Sequence, residues 1–135
     1  MLDTNVLVAA LRSRQGASHQ VLKWIGKGEW RPNVSVALAL EYEDVLKRPG
    51  LLTGISEADV DEFLDYLFMV SNLVPFVSRR RPSLRDPNDE RILELAIHCG
   101  ATIITHNKKD FAGAERFGIA VKAPAEFLEI LRESE

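Results

Sequence analysis

The sequence predicts an α/β protein with a central, mostly parallel sheet that is covered by helices on both faces. Short apolar runs alternate with helical patterns along the chain, and this order is typical of parallel sheets. Acidic residues recur where an apolar run meets a turn or a helix, and such junctions converge at one edge of a parallel sheet. The 135 residues, of which 46% are hydrophobic, suffice for one core, so we expect a single domain over residues 1–135.

The first predicted strand is unusually short. Only Met1 and Leu2 precede Asp3, whereas a buried strand usually has about five or six residues. We therefore expect this strand to be clipped at the N-terminus, with several apolar residues once preceding it. The rest of residues 1–10 predicts a helix that begins directly after the strand.

Capping and turn residues divide the remainder of the chain. Ser18 is a candidate N-cap, Ser56 and Asp59 form a capping-box pattern, and Pro87 stands at a first helical position. The predicted elements are, in order, a helix over 18–26, a strand over 30–36, a helix over 36–47, a helix that begins at Ser56, a strand over 73–77, a helix over 86–99, a strand over 101–105, a turn over 111–118, a strand over 118–122 and a helix over 124–131.

Acidic side chains mark the candidate site. Asp3, Glu41, Asp86 with Asp89, and Asp110 all fall at junctions or on the first turns of helices. Carboxylates that gather at one sheet edge repel one another and resist ionising together unless they share a cation. Oxygen ligands suit Mg²⁺ or Mn²⁺, so the pattern predicts a divalent-metal site.

Structural interpretations of these acids stay open. Asp3 has the position of an N-cap for the helix that follows, and Asp110 has the position of a cap for the turn at Phe111. Asp86 before a proline is a good N-cap, and Asp89 falls on the first turn, where a carboxylate favours the positive end of a helix. We expect Asp89 to be a metal ligand, whereas capping and a supporting role beside the metal are equally open for Asp86.

Glu41 is favoured over two neighbouring acids because of its place on a predicted helix. It lies one turn before Val45 and on the side that Tyr42 shares, whereas Glu43 points roughly the opposite way. An acid on an inward face is a better ligand candidate than Glu43 or Asp44, which we interpret as surface charge.

Three polar residues follow the predicted strand over 101–105. The Thr105 hydroxyl is suited to orienting a carboxylate, and Asn107 is a neutral ligand or a cap. His106 is a candidate base, but a single histidine on a loop usually faces solvent. Thr4 and Asn5 beside Asp3 offer polar groups of the same kind.

The net charge of −3 argues against broad, charge-driven binding to nucleic acid. Basic residues nevertheless flank the acidic patches, which suits a phosphate polymer that approaches a metal site; solvated loop charge is the alternative for each cluster taken alone. These residues are Arg12 and Arg14, Arg79, Arg80, Arg81 and Arg85, and Lys108 and Lys109.

Cysteine content and hydropathy further narrow the class of protein. Cys99 is the single cysteine, so an internal disulfide is excluded, and its helical pattern favours a buried apolar role. No apolar stretch approaches the length that spans a bilayer, and no basic-then-apolar leader is present. We therefore expect a cytoplasmic protein with no membrane partner.

Taken together, these motifs resemble the PIN-domain family of metal-dependent ribonucleases over nearly the whole chain. The C-terminal part resembles a bacterial subgroup of toxin components from toxin–antitoxin pairs. The motifs that carry the resemblance are Leu2-Asp3-Thr4-Asn5, Leu40-Glu41-Tyr42, Arg85-Asp86-Pro87-Asn88-Asp89, Thr105-His106-Asn107-Lys108-Lys109-Asp110-Phe111, Phe117-Gly118-Ile119 and Pro124-Ala125-Glu126-Phe127-Leu128.

The resemblance implies a three-layer α/β/α sandwich with an acidic pocket for Mg²⁺ or Mn²⁺. By this match Asp3, Glu41 and Asp89 correspond to the core acids of the family. The fourth acidic position falls on or near Asn107, a departure that puts the second metal site in question unless Asp110 or Asp86 compensates.

The implied activity is hydrolysis of phosphodiester bonds in single-stranded RNA by a metal-activated water. The polar groups of Thr4, Asn5, Thr105 and Asn107 would orient the ligands, and the Arg79–Arg81 cluster, Arg85, Lys108 and Lys109 would guide the RNA backbone. A homodimer and an antitoxin that covers the pocket are the implied partners.

Two rival interpretations are kept. The first is a catalytically weak or inactive PIN-like module that binds RNA or a partner protein, which the short first strand and Asn107 favour. The second is a haloacid-dehalogenase-type phosphatase, but those enzymes need an aspartate two residues after the first one, where this chain has Asn5.

Overall fold

The computed structural model describes residues 1–25, 27, 30–75 and 87–133, and of residues 87 and 88 it describes the backbone alone. Helices alternate with very short strands along these residues. In chain order they are α1 (Thr4–Arg12), α2 (Ala17–Lys23), β1 (Asn33–Val34), α3 (Val36–Leu46), α4 (Glu57–Met69), β2 (Asn72–Leu73), α5 (Pro87–Cys99), β3 (Ile103–Ile104), two 3₁₀ helices (Lys108–Phe111 and Ala114–Phe117), β4 (Val121–Lys122) and α6 (Pro124–Glu133).

All strand pairings among the described residues are parallel. β1 pairs with β2, and β3 pairs with β4, with Ile104 opposite Lys122. On its other side Ile104 forms a parallel bridge with Leu2, because its amide donates to the Met1 carbonyl at 2.8 Å and its carbonyl accepts from the Asp3 amide at 2.9 Å. Parallel pairing with intervening helices confirms the predicted α/β class. It also brings the residues after Leu2 and after Ile104 to the same edge.

The predicted strands are longer than the observed ones. The strand predicted over 30–36 is paired only at Asn33 and Val34, because Ser35 already caps α3 by accepting a hydrogen bond from the Leu38 amide at 3.2 Å. Leu2 forms an isolated bridge where we predicted a short first strand. The strand predicted over 73–77 is observed at 72–73, and residues 76 and 77 lie outside the described residues.

Two capping predictions have opposite outcomes. The capping box is confirmed, since the Ser56 side chain accepts from the Asp59 amide and the Asp59 carboxylate accepts from the Ser56 amide. The N-cap predicted at Ser18 is wrong, because α2 begins at Ala17 with Gly16 as its N-cap. Ser18 is instead buried inside the first turn of that helix.

The core brings α1 and α3 together beneath the candidate site. Leu2, Val6 and Leu7 are fully buried, and they share one core with Tyr42 of α3. The Tyr42 hydroxyl donates to the Leu2 carbonyl at 2.5 Å, so α3 is tied to the segment that carries Asp3. No described helix is long and apolar enough to cross a membrane.

Candidate functional site

Four acids from four separate elements line one cavity of about 650 Å³. Asp3 precedes α1, Glu41 lies on α3, Asp89 lies on the first turn of α5, and Asp110 lies on the first 3₁₀ helix. The four acids therefore share one cavity, and their joint role in a metal site stays a prediction. The other residues that line this cavity are Thr4, Asn5, Val8, Ala9, Arg12, Ser13, Val45, His106 and Asn107.

Asp3 occupies the N-cap position of α1, but its side chain makes no capping hydrogen bond. One carboxylate oxygen, Oδ2, instead accepts from the Thr105 hydroxyl at 2.7 Å and from the Asn5 amide at 3.2 Å. The parallel bridge between Leu2 and Ile104 brings Asp3 and Thr105 side by side. Asp3 is therefore the N-cap residue of α1, as the alternative interpretation predicted, but its side chain is held by polar neighbours across the sheet edge.

Burial shapes the ionisation of Asp3, which is only 8% exposed. Desolvation is the main cause that raises the pKa of this carboxyl, and the negative charges of Glu41 and Asp110 raise it further. The hydrogen bonds from Thr105 and from the backbone of Thr4 act in the opposite direction. A cation beside Asp3 would favour its ionised form.

Glu41 is held by the residue that follows Asp3. The Thr4 hydroxyl donates to Glu41 Oε2 at 2.5 Å, and Thr4 is itself buried. Glu41 is half-buried, whereas Glu43 and Asp44 are exposed, so the inward face of α3 is the one that helical spacing predicted.

The loop after β3 supports Asp3 through Thr105, which is fully buried. The Thr105 hydroxyl donates to Asp3 and accepts from the Asn107 amide at 3.1 Å and from the Asn5 side-chain amide at 3.3 Å. The Asn5 side-chain carbonyl in turn accepts from the His106 amide at 3.2 Å. Thr105 and Asn5 therefore hold the Asp3 carboxylate together, and Asn107 contacts Thr105 through its backbone amide alone.

His106 is exposed, as expected of a loop histidine, yet its ring is not free to rotate in solvent. Its Nε2 lies 2.7 Å from the hydroxyl of Ser18, a buried residue on α2. Sequence reasoning missed this pair, because the two residues are 88 positions apart and lie on separate predicted elements.

The remaining predicted acids have different outcomes. Asp89 is half-buried and lines the cavity from the first turn of α5. Asp110 is exposed and lies inside its 3₁₀ helix, with Asn107 at the N-cap position, so the interpretation of Asp110 as a cap is wrong. Asp86 lies outside the described residues.

Of the residues predicted to guide RNA, only Lys108 and Lys109 lie among the residues that the structure describes. Arg79, Arg80, Arg81 and Arg85 lie outside the described residues. Lys108 is exposed and pairs with Glu126 of α6 at 2.8 Å. Lys109 is also exposed.

The donor chemistry fits a hard divalent cation. Carboxylates are joined here by hydroxyl and amide oxygens, which are the ligand types that Mg²⁺ and Mn²⁺ prefer. Within the described ranges, however, no three side chains of His, Cys, Asp or Glu lie close enough together to hold an ion. The described acids therefore line one cavity, but they do not form a complete set of metal ligands.

Two further features were not predicted from the sequence. Glu90 and Glu94 on α5 are buried charged residues, at 5% and 1% exposure, and only their place on the inner face of a helix distinguishes them. Arg12 reaches the same cavity as the acids, although the sequence assigned it only to a basic cluster.

The family model for the PIN domain matches residues 1–109, which is most of the chain. No curated protein matches it. PIN domains are in general nucleases and typically use divalent metal ions. By its fold, by the placement of its acids and by this match, the chain belongs to the PIN-domain family.

Proposed function

We propose that this protein is a metal-dependent endoribonuclease that hydrolyses phosphodiester bonds of single-stranded RNA. The observation that carries the proposal is the convergence of Asp3, Glu41, Asp89 and Asp110 on one cavity. A cation bound in this cavity would stabilise the carboxylates that line it, and phosphodiester hydrolysis is a reaction that such a cation supports.

In this proposal Asp3, Glu41 and Asp89 hold Mg²⁺ or Mn²⁺, and Asp110 supports a second ion or a water. When bound, the ion activates water and neutralises charge on the phosphate. Thr4 fixes the carboxylate of Glu41, and Thr105 with Asn5 fixes that of Asp3. Groups that hold metal ligands in place contribute strongly to metal affinity and activity. Water adds to phosphorus as the bond to the 3′ oxygen breaks, which leaves a 3′ hydroxyl and a 5′ phosphate.

The test uses the purified chain and a labelled single-stranded RNA of mixed sequence, with Mn²⁺ or with EDTA. We expect cleavage in Mn²⁺ and none in EDTA. Asp3→Asn and Asp89→Asn should abolish cleavage while circular dichroism shows an unchanged fold. Glu43→Gln is the matched control, because Glu43 is an exposed acid on the same helix as Glu41 and should be dispensable. Full activity in Asp3→Asn or Asp89→Asn would refute the assignment.

A catalytically weak or inactive PIN-like module is the second candidate function. The absence of a closed group of three ligands among the described residues favours it, as does the neutral Asn107 in the cavity. Calorimetry with Mn²⁺ separates the two, because an inactive module should bind the ion poorly. Tight binding of Mn²⁺ together with cleavage excludes this candidate.

The proposed biological setting rests on the resemblance of the C-terminal part to the toxin components of toxin–antitoxin pairs. We propose a cytoplasmic homodimer, built from one domain per chain, that acts as the toxin of a toxin–antitoxin pair. Light scattering tests the dimer through the molar mass in solution. A small DNA-binding protein encoded directly upstream, which copurifies with this chain and blocks cleavage, would support the antitoxin. A monomeric mass would contradict the dimer.

A further inference from the structure

Arg12 is the one Lys or Arg side chain among the described residues that line the acidic cavity. It is the last residue of α1, the helix that begins directly after Asp3. Because a helix rises about 1.5 Å per residue, Arg12 lies roughly 13 Å along the helix axis from Asp3. The cavity therefore has carboxylates at one end of α1 and a guanidinium at the other.

The guanidinium of Arg12 is held in one orientation although it is exposed. Its Nε and Nη2 atoms both donate to the Leu51 carbonyl, at 3.3 and 3.0 Å. An exposed arginine ordinarily samples many rotamers, and ordering such a side chain costs conformational entropy. Two hydrogen bonds to one carbonyl fix the plane of the group before any ligand arrives.

The donors that remain have the geometry of an anion site. A guanidinium has five N–H donors, and the Leu51 carbonyl engages two of them. Both N–H groups of Nη1 and one of Nη2 are left, and together they form the fork that binds a phosphate through two parallel hydrogen bonds. Lysine lacks this planar fork.

Arg12 also forms no ion pair within the part of the chain that the structure describes. No carboxylate of the described residues lies within 4.0 Å of its guanidinium, although four acids line the same cavity. If Arg12 served only to tether the segment at Leu51, its charge would have no partner. A fixed guanidinium beside the acidic residues suits a polyanion, because one of its phosphates can lie near the acids while another lies near Arg12.

We propose that Arg12 forms a phosphate-binding subsite, which holds a phosphate that flanks the scissile one in the bound RNA. The proposal rests on the nuclease function proposed above. The distance along α1 separates Arg12 from the acids around Asp3, so Arg12 contributes to substrate binding and leaves the chemical step to them. Leu51 acts as the positioning group, through its carbonyl.

The experiment measures cleavage of a fluorescein-labelled, 20-nucleotide single-stranded RNA of mixed sequence in Mn²⁺ over a series of KCl concentrations. We expect Arg12→Gln to raise KM roughly 10-fold and to change kcat by less than about twofold. Because one phosphate contact is lost, the slope of log KM against log salt should become shallower by about 0.7. Arg12→Lys should keep the wild-type slope, since it keeps the charge, while KM rises in part because the fork is gone.

Arg14→Gln is the matched control, because Arg14 is an exposed arginine two residues away that does not line the cavity. It should leave KM and the slope as they are in the wild type. Equal effects of Arg12→Gln and Arg14→Gln would mean a general surface charge and would overturn the subsite. A fall in kcat or in thermal stability with an unchanged slope would assign Arg12 to the Leu51 tether alone, and would overturn it as well.

Failure of the nuclease proposal is distinguishable from failure of the subsite. If the wild-type chain cleaves no RNA in Mn²⁺, the nuclease proposal fails, and fluorescence anisotropy of the same intact RNA replaces the kinetic measurement. A shallower salt slope for Arg12→Gln than for wild type and Arg14→Gln then still supports the phosphate contact. Identical slopes for all three proteins exclude it.

Discussion

The hydroxyl of Thr4 donates a hydrogen bond to Glu41 Oε2 across 37 positions of sequence, at 2.5 Å. It joins the first turn of α1 to the middle of α3. Since Asp3 directly precedes Thr4, one short segment both contributes an acid to the cavity and fixes a second one. The two carboxylates are therefore placed by the same turn, and a change at Thr4 should be felt at Glu41.

The first prediction concerns this hydrogen bond. Thr4→Val keeps the shape of the side chain and removes the donor, so Glu41 loses the group that orients it. Loss of a partner that orients a metal ligand typically costs 10- to 100-fold, and we expect a reduction of about this size in Mn²⁺-dependent RNA cleavage. Thr4→Ser restores the hydroxyl and should retain most activity. Wild-type rates in Thr4→Val would show that Glu41 needs no help from Thr4.

Periodicity and capping chemistry were enough to predict the class of the fold. The capping box at Ser56 and Asp59 is a local feature, and it is found as predicted at the start of α4. Strand length was not predictable in the same way, because it depends on partners distant in sequence. The residues before Ser35 have the sequence pattern of a longer strand. The N-cap of α3 at Ser35 nevertheless ends the observed strand after Val34.

For the candidate site, the sequence indicated which residue types stand at the junctions between elements, but it did not indicate which side chains contact one another. Asp3, Glu41, Asp89 and Asp110 were singled out because acids at such junctions are costly without a partner, and they do line one cavity. The contact between Ser18 and His106 could not be predicted. A serine inside a helix carries no signal of the loop that packs against it.

The second prediction follows from the raised pKa of Asp3. In the folded chain this carboxyl binds a proton more readily than in the unfolded chain, where its pKa is near 3.9. The free energy of unfolding should therefore fall as pH rises from the unfolded pKa through the folded one, with the penalty fully present above the folded pKa. Asp3→Asn removes the charge, so in EDTA it should unfold at a higher temperature than wild type at pH 7.

Calorimetry of both proteins from pH 4 to pH 7 in EDTA checks this prediction. The advantage of Asp3→Asn should shrink toward pH 4, where the wild-type carboxyl becomes protonated. Saturating Mn²⁺ should stabilise the wild type and leave Asp3→Asn unchanged, because only the native site with its acid binds the ion. A lower unfolding temperature for Asp3→Asn at pH 7 in EDTA would show that the buried charge carries no penalty.

The third prediction concerns the buried hydroxyl of Tyr42, which donates to the Leu2 carbonyl. Tyr42→Phe leaves that carbonyl buried without this donor, and we expect the free energy of unfolding to fall by about 1–3 kcal/mol in urea titration. Tyr66→Phe is the control, because Tyr66 is 46% exposed and should be nearly neutral. Equal effects of the two substitutions would contradict the importance of the link between α3 and Leu2.

The fourth prediction distinguishes the two lysines that the sequence assigned to RNA. Lys108 pairs with Glu126 at 2.8 Å, so its charge is already compensated, whereas no ion pair involves Lys109 among the described residues. Lys109→Gln should therefore weaken binding of a labelled single-stranded RNA more than Lys108→Gln does, as measured by anisotropy at about 0.1 M salt, where exposed charges still act over about 10 Å. Glu126→Gln should strengthen binding, because it releases Lys108 to the RNA. If Lys108→Gln is the more damaging change, the ion pair with Glu126 does not hold Lys108 away from the substrate.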